Sequence, residues 1–181
     1  MRLGLVSDSH GLADPGLPRL LAGCDLILHA GDWVRPEVLE ALSTLAPLKA
    51  VLGNNDRPLR PGHPPETRLI RLGDLTALLV HDVGSPGRPH PSVGKLLRRL
   101  RPALVIHGHS HRPGTALVDG HLFVNPGSAG PRRFSLPRSA ALLEVDGPLV
   151  EVVLYDLAVE PAAPLAPPLR QVLGGPAAAA R

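Results

Sequence analysis

The sequence predicts an α/β fold in which polar, chemistry-bearing residues follow the ends of buried strands. Two observations support this fold class. Short apolar runs alternate with helical patterns in the first half of the chain, and paired apolar runs flank Asp-Gly turns in the second half. With 181 residues, of which 44% are apolar, the chain has the size and composition of one compact domain with a real core.

In the first half, the elements follow one another as strand, helix and strand. Buried strands are predicted at residues 3–6, 25–29, 48–52, 75–81 and 103–107. A helix is predicted over residues 36–45 with Pro36 in its first turn, and another over 92–100 with Ser92 as its N-cap. This alternation favours parallel pairing with right-handed crossovers.

In the second half, the pattern changes to hairpins. Residues 115–118 and 121–124 flank Asp119-Gly120, and residues 140–145 and 149–155 flank a second Asp-Gly pair. A parallel first sheet is therefore expected to meet a more antiparallel second one. Residues 61–65 are expected to form a surface loop. From Pro161 the chain is rich in Pro and Ala, which predicts a domain over 1–158 and a mobile tail over 159–181.

Composition bears on partners and location. A formal net charge of +3 is too mild to predict nucleic-acid binding. No apolar run reaches the roughly 18–20 residues of a membrane span, and the N-terminus lacks the pattern of a signal peptide, so we expect a cytoplasmic protein. The one cysteine, Cys24, cannot form an intrachain disulfide. The sequence leaves open whether the chain forms a homo-oligomer.

Polar clusters follow the predicted strands at five places. They are Asp8-x-His10, Gly31-Asp32, Gly53-Asn54-Asn55-Asp56, His81, and His107-Gly108-His109-Ser110-His111. Taken singly, each has an ordinary structural explanation, such as a turn or a packed histidine. Parallel strands, however, bring their carboxyl ends to one edge of a sheet. The ordered set therefore predicts a shared metal site.

With these residues, the chain resembles the calcineurin-like metallophosphoesterase superfamily, and within it a branch of small bacterial and archaeal phosphodiesterases. The resemblance runs from Met1 to about Asp156. It implies two mixed β-sheets packed face to face and flanked by helices, an αββα sandwich. It also implies hydrolysis of a small phosphodiester substrate by a water that two divalent metal ions share and activate.

The resemblance implies seven metal ligands. They divide into Asp8, His10 and His111 for the first ion, Asn54, His81 and His109 for the second, and Asp32 as a bridge between them. Carboxylate, imidazole and amide donors suit Mn²⁺ best among the ions that we consider, with Fe²⁺, Zn²⁺, Ni²⁺ or Co²⁺ as alternatives. His29 is expected to support the site or to pack rather than to bind metal.

Several residues depart from the family pattern or extend it. Asn55 stands where many relatives have a histidine that protonates the leaving oxygen, so we expect a preference for diesters with good leaving groups and a role for Asn55 in catalysis and substrate binding. Asp56 resembles the family's orienting carboxylate, with a turn-stabilising role equally open. Asp82 replaces the glycine that usually follows His81, which is expected to weaken phosphate binding. Arg132 is a candidate substrate-binding residue, with a plain surface arginine as the alternative.

Three functions are therefore considered. A metal-dependent phosphodiesterase is the first, and a phosphomonoesterase or nucleotide hydrolase is the alternative that Asn55 disfavours. A non-catalytic scaffold is the third, because the superfamily includes a retromer subunit that works through protein contacts. A scaffold has no need to keep all seven ligands, so the sequence favours catalysis.

Overall fold

The computed structural model describes residues 1–57, 62–133 and 135–174. Pro61, the first residue of the predicted 61–65 loop, lies outside the described part, as does the end of the predicted tail, residues 175–181. The described chain has three helices: α1 Leu17–Leu20, α2 Pro36–Ser43 and α3 Pro91–Leu100. Among the described residues, no helix has the length and hydrophobicity that a bilayer crossing requires.

Fourteen strands are distributed over the described chain. In chain order they are β1 Arg2–Val6, β2 Leu26–His29, β3 Leu48–Ala50, β4 Thr67–Leu72, β5 Leu75–Val80, β6 Gly84–Ser85, β7 Arg88–Pro89, β8 Leu104–Ile106, β9 Gly114–Val118, β10 His121–Asn125, β11 Ser139–Asp146, β12 Leu149–Asp156, β13 Ala163–Pro164 and β14 Leu169–Val172. All of the strands and both hairpins predicted from the sequence are present. The structure adds β4, β6, β7, β13 and β14.

The larger sheet has seven strands in the order β13-β12-β11-β1-β2-β3, with β14 also paired to β12. Strands β1, β2 and β3 are parallel, whereas β11 joins β1 antiparallel with Arg2 opposite Glu144. The smaller sheet has the order β4-β5-β8-β10-β9. Its central strands β5, β8 and β10 are parallel, and β4 and β9 are antiparallel edges.

The two sheets face each other across a core of aliphatic side chains. Leu3, Leu5 and Leu28 of the larger sheet and Leu79 and Leu104 of the smaller one are fully buried in it. Each such leucine stabilises the fold by about 1.5–3 kcal/mol relative to an exposed side chain.

The outer faces of the sheets are covered by helices. Leu17 of α1 and Leu42 of α2 pack on the larger sheet, and Val93 and Leu97 of α3 pack with Phe123 on the smaller one. The layers are helix, sheet, sheet and helix, and they confirm the predicted fold class.

Two local predictions are wrong. The expected division into a parallel and an antiparallel sheet fails because the second hairpin, β11–β12, extends the sheet that holds β1, so both sheets are mixed. Ser92 is not the N-cap of α3. The helix begins one residue earlier, at Pro91, and its N-cap is His90, which makes no side-chain capping bond. Proline is favourable at the first helical position, because the N–H group that it lacks would have no partner within the helix there.

The expectation of a mobile tail from Pro161 is wrong for the part of it that the structure describes. Strands β13 and β14 pair with β12, and the side chain of Leu173 is only 3% exposed within the core. The free edge of β12 offers backbone hydrogen bonds that composition alone does not reveal. The domain boundary at residue 158 stays a prediction.

Candidate metal centre

The seven predicted ligands form one continuous cluster at the carboxyl ends of strands. Asp8 and His10 follow β1, Asp32 follows β2, and Asn54 follows β3 of the larger sheet. His81 follows β5 of the smaller sheet, and the last two, His109 and His111, follow β8. Parallel pairing gathers the ligands at one edge of each sheet, and the loops of both sheets meet over one site.

One half of the cluster contains Asp8, His10 and His111. The Nε2 atom of His111 lies 3.2 Å from Oδ1 of Asp8 and 3.1 Å from Nε2 of His10. Asp8 is fully buried and His111 is 7% exposed, so little water competes with this contact. A single ion between these atoms would meet two imidazole nitrogens and a carboxylate oxygen.

The other half contains Asn54, His81 and His109. Oδ1 of Asn54 lies 3.0 Å from Nε2 of His81 and 3.0 Å from Nδ1 of His109. Asp32 lies between the halves, with Oδ2 at 3.5 Å from Nε2 of His81 and 3.9 Å from Nε2 of His10. Its Oδ2 atom therefore faces a histidine of each half.

The protonation pattern of His81 fits a cation. Its Nδ1 donates a hydrogen bond to the backbone oxygen of Ala30 at 2.8 Å, so the neutral ring carries no proton on Nε2. In that neutral form the bare nitrogen faces the oxygens of Asn54 and Asp32 and all three atoms are acceptors, whereas a proton on Nε2 would let His81 donate to Asp32. Acceptors in contact repel one another unless a proton or a cation lies between them.

The Asp8 carboxylate gives a second, independent indication. Its Oδ2 accepts hydrogen bonds from Ser7 Oγ at 2.6 Å and from the His109 N–H at 3.0 Å. Its Oδ1 is buried and accepts no well-formed hydrogen bond among the described residues, because Nε2 of His111, at 3.2 Å, contacts it without hydrogen-bond geometry. An unpaired buried carboxylate oxygen is costly, and a metal ion would remove that cost. The residues present therefore fit a pair of divalent cations.

The backbone of the ligand loops is locally strained. Positive φ angles between 45° and 66° occur at five of the seven predicted ligands, which are Asp8, His10, Asp32, His109 and His111. Non-glycine residues adopt this conformation at a cost of about 1 kcal/mol or more each, and such residues concentrate at functional sites. Sharp turns directly after the strands direct these side chains into the cluster.

Two glycines allow the loops to approach the ligands closely. A Cβ atom at Gly53 would collide with the backbone and carboxylate of Asp32, and one at Gly108 would collide with Ser7. Space therefore requires glycine at Gly53 of the third sequence cluster and at Gly108 of the fifth.

Asn55 and Asp56 both act on the loop that carries Asp32. The Asn55 backbone N–H donates to Oδ1 of Asp32 at 2.8 Å, and its side-chain Nδ2 donates to Oδ2 at 2.6 Å. Burial would raise the pKa of Asp32, but its hydrogen bonds with His81 and Asn55 outweigh burial and hold that pKa well below its usual value. Asp32 is thus ionised throughout the physiological range.

Asp56 is an acceptor for three backbone amides. Its carboxylate receives the N–H groups of Asp32 at 2.8 Å, Val34 at 2.6 Å and Gly53 at 2.7 Å. Burial raises the pKa of this carboxyl although the three hydrogen bonds oppose the shift. Asp56 therefore ties the Asp32 loop to the Asn54 loop through backbone amides, and its role as the family's orienting carboxylate stays a prediction.

The surroundings shift the pKa values of two histidines of the site, His10 and His81, in opposite directions. Burial lowers the pKa of His10, and the positive charge of Arg133 lowers it further. Burial acts in the same direction on His81, but hydrogen bonding to Asp32 and the charges of Asp8 and Asp32 raise its pKa overall. In the metal-free site His81 therefore holds a proton more readily than His10 does, and a metal ion at His81 would compete with that proton.

His29 lies beneath the ligand loops. The Gly31 N–H donates to Nδ1 of His29 at 3.2 Å, so the ring proton is on Nε2, which donates to Ser9 Oγ at 2.9 Å. Burial lowers the pKa of His29 to about 4 and keeps the ring neutral. It holds the backbone next to Asp32 and makes no hydrogen bond or ion pair with the seven predicted ligands, so both of its ring nitrogens are used within the protein.

The structure does not bring Arg132 into contact with the cluster: within the described ranges this exposed side chain makes no hydrogen bond or ion pair. Its neighbour Arg133 is the arginine whose charge reaches His10.

The sequence analysis missed Ser7 and Ser128, which donate to the Oδ2 and the backbone oxygen of Asp8. Serines are too common for either to stand out. The only signal is that Ser7 directly precedes Asp8 and that Ser128 lies in the loop after β10.

The sequence of this chain is similar to a family model and to known proteins. A family model described as the calcineurin-like phosphoesterase superfamily domain matches residues 1–147. A probable metallophosphoesterase of Methanothermobacter thermautotrophicus is 32% identical over 153 residues, which are 81% of this chain and 87% of that protein.

Solved structures share the architecture. Vacuolar protein sorting 29 of Cryptosporidium parvum matches 94% of this chain and 97% of its own with a TM-score of 0.79 at 23% identity, which speaks for the fold alone. Vps29 of Entamoeba histolytica, solved in complex with Zn²⁺, matches 94% of this chain and 98% of its own with a TM-score of 0.75 at 27% identity.

Proposed function

The chain belongs to the calcineurin-like phosphoesterase superfamily, and on that premise we propose that it is a phosphodiesterase that uses two divalent metal ions. The observation that carries the proposal is the convergence of seven donor side chains into one cluster in which acceptor atoms face one another. Mn²⁺ is the ion that we expect, because the donors are imidazole, carboxylate and amide groups and include no thiolate.

The charge of the cluster suits a phosphate group. Asp8 and Asp32 supply two negative charges, so two divalent ions would leave a surplus of about two positive charges when the histidines are neutral. Ions held there would neutralise charge on the phosphoryl group and lower the pKa of a water molecule. The protein side chains fix the geometry: Asn55 holds the Asp32 carboxylate, and Asp56 holds the loop that carries it.

Diesters with good leaving groups are the substrates that the site supports best. An amide at position 55 cannot act as an acid near neutral pH, and its Nδ2 already donates to Asp32. Within the described part of the cluster, the histidines each belong to a predicted ligand set. A leaving alkoxide would therefore depart without a proton from the protein, which favours leaving groups of low pKa.

Activity after metal removal tests this proposal. We expect protein purified without chelator to contain about two equivalents of transition metal. Chelator treatment should abolish hydrolysis of bis(p-nitrophenyl) phosphate, and Mn²⁺ should restore it. Parallel assays with p-nitrophenyl phosphate should show a lower kcat/KM, and Asp32→Asn should lose activity on both. Absence of hydrolysis with Mn²⁺, Zn²⁺, Ni²⁺ and Co²⁺ alike would contradict the proposal.

A protein-binding scaffold is the second candidate, because the structures named Vps29 share this fold over almost the whole chain. The complete donor set favours catalysis. A scaffold would form a stoichiometric complex with a partner protein equally well with and without metal, and it would hydrolyse neither the diester nor the monoester.

A further inference from the structure

A cleft of about 660 Å³ opens beside the metal centre, and the predicted ligands Asn54 and His81 form part of its lining. A cleft of this size accommodates a small organic molecule. Because the lining is shared, a group in the cleft is contiguous with a phosphate at the cluster. The cleft is therefore placed to receive one of the two ester arms of a diester.

One wall of the cleft is a face of helix α3. Ser92, Lys95 and Leu96 are spaced three and four residues apart, which puts them on one side of the helix. Leu96 is half-buried, so part of its side chain remains available for contact. Leu52 and Val80 complete an aliphatic surface with it. Apolar surface next to a charged cluster favours an arm with an apolar face.

The charges of the lining oppose those of the metal centre. Among the described residues that line the cleft, Asp56, Glu66 and Asp82 place three carboxylates against the single ammonium of Lys95, a formal charge of −2. The Asp82 carboxylate is held there by the Gly84 N–H at 2.8 Å and by Nε2 of His90 at 3.1 Å. A second anionic group on the substrate would meet a net negative surface, which disfavours its binding.

We propose that this cleft binds one ester arm of the phosphodiester and selects an uncharged, apolar arm of aryl or nucleoside size. A small alkyl arm would leave the aliphatic wall unused, and an arm with an additional phosphate or carboxylate would be repelled. Leu96 and Glu66 are the specificity-determining residues of this selection. The inference rests on the proposed phosphodiesterase function and names the class of diester that it acts on.

A pair of substrates with one leaving group measures the apolar contribution. Methyl p-nitrophenyl phosphate and phenyl p-nitrophenyl phosphate both release p-nitrophenolate and differ in the retained arm. We expect the Mn²⁺-loaded protein to prefer the phenyl ester by about tenfold or more in kcat/KM. Leu96→Asp should reduce that preference by about tenfold. The inhibition constants of dimethyl and diphenyl phosphate should follow the same order.

Leu117→Asp is the matched control, because Leu117 is 52% exposed on β9, at the edge of the smaller sheet away from the cleft. It should leave the preference unchanged. Equal metal content and thermal midpoints would show that both variants fold. If Leu96→Asp does not fold, Leu96→Ala tests the same contact and should reduce the preference in the same direction.

A charged arm tests the electrostatic part. The 4-carboxyphenyl analogue should be hydrolysed with a lower kcat/KM than the phenyl ester. Glu66→Lys should reduce the ratio of the two kcat/KM values about threefold, and Lys95→Glu should increase it. Equal kcat/KM for the methyl and phenyl esters, or an unchanged preference in Leu96→Asp and Leu96→Ala, would overturn the cleft assignment while hydrolysis itself persists. Loss of hydrolysis of every diester in the unmodified protein would instead overturn the proposed function.

Discussion

Asn55 donates two hydrogen bonds to the carboxylate of Asp32, one from its backbone N–H at 2.8 Å and one from its side-chain Nδ2 at 2.6 Å. Both oxygens of the carboxylate are therefore held by one residue, and its remaining lone pairs are directed to the cluster. This contact supports a positioning role for Asn55, exerted through Asp32. The direct role on substrate expected from the sequence stays a prediction.

Truncation of Asn55 should weaken metal binding. In Asn55→Ala the Asp32 carboxylate loses the Nδ2 contact and gains rotational freedom, so affinity for Mn²⁺ should fall by about 10- to 100-fold. Isothermal titration of the metal-free protein measures this change. Asn55→Asp should be worse, because it places a second carboxylate against Asp32. Unchanged Mn²⁺ affinity together with lost hydrolysis would contradict the positioning role and favour direct contact with substrate.

Replacement of Asp56 should destabilise the fold as well as the site. Asp56→Ala leaves the buried N–H group of Asp32 and the partly buried N–H groups of Val34 and Gly53 without their acceptor, which should cost about 3 kcal/mol of unfolding free energy. Urea denaturation of metal-free protein measures the loss. The control is Asp74→Ala, since Asp74 is an exposed turn residue. A loss of stability no larger than that of the control would show that the three amides find other partners.

Local patterns in the sequence predict most of the elements and the position of the ligands. Apolar runs mark β1, β2, β3, β5 and β8, and each of these strands is followed directly by a polar cluster. Parallel strand ends meet at one edge of a sheet, which brings together the clusters after β1, β2 and β3 in the larger sheet and those after β5 and β8 in the smaller one. Strand order and residue type therefore predict two groups of candidate ligands, and the packing of the two sheets brings these groups into one site.

Non-local pairing could not be predicted in the same way. The pairing of Arg2 with Glu144 joins the first strand to one near the end of the chain, and nothing in either segment specifies the partner. The pairing of β14 with β12 likewise depends on a free sheet edge that exists only in the folded protein. The role of Asn55 was equally hidden, since its orientation is set by a loop 23 residues away in sequence.

Asp82 lies close to a predicted ligand, and its removal should loosen that ligand. Its Oδ2 is 3.7 Å from Nε2 of His109, whose Nδ1 faces Asn54. A carboxylate on the far nitrogen of a ligating imidazole fixes the ring and raises its basicity. In Asp82→Asn we expect Mn²⁺ affinity of the weaker site to fall about tenfold, measured by calorimetry.

The control for Asp82 is His90→Gln, which removes the other imidazole partner of Asp82 and should change Mn²⁺ affinity little. The sequence analysis gave a competing expectation, that Asp82 weakens phosphate binding. If that effect dominates, Asp82→Asn will lower the KM for the diester and leave metal affinity unchanged, and the orienting role is then wrong.

The buried imidazole of His29 should make the metal-free protein less stable in mild acid. Its pKa is about 4 in the folded protein because of burial, against 6.5 for an unperturbed histidine. Between these values the unfolded chain binds a proton that the folded chain does not, so stability falls as pH decreases from 6.5 towards 4. The loss attributable to His29 approaches about 3 kcal/mol at the lower end.

Urea denaturation at pH 7, 6, 5 and 4.5 in the presence of chelator measures this dependence. His29→Gln retains a polar side chain without a titrating group, so its stability should fall less steeply with pH than that of the unmodified protein. Part of the dependence should remain, because burial also lowers the pKa of His107 to about 4. The exposed His63 provides the control, and His63→Gln should keep the full dependence. An equally steep loss of stability with decreasing pH in His29→Gln would contradict this account. It would mean that the His29 ring is protonated in the folded protein or that the site opens before the protein unfolds.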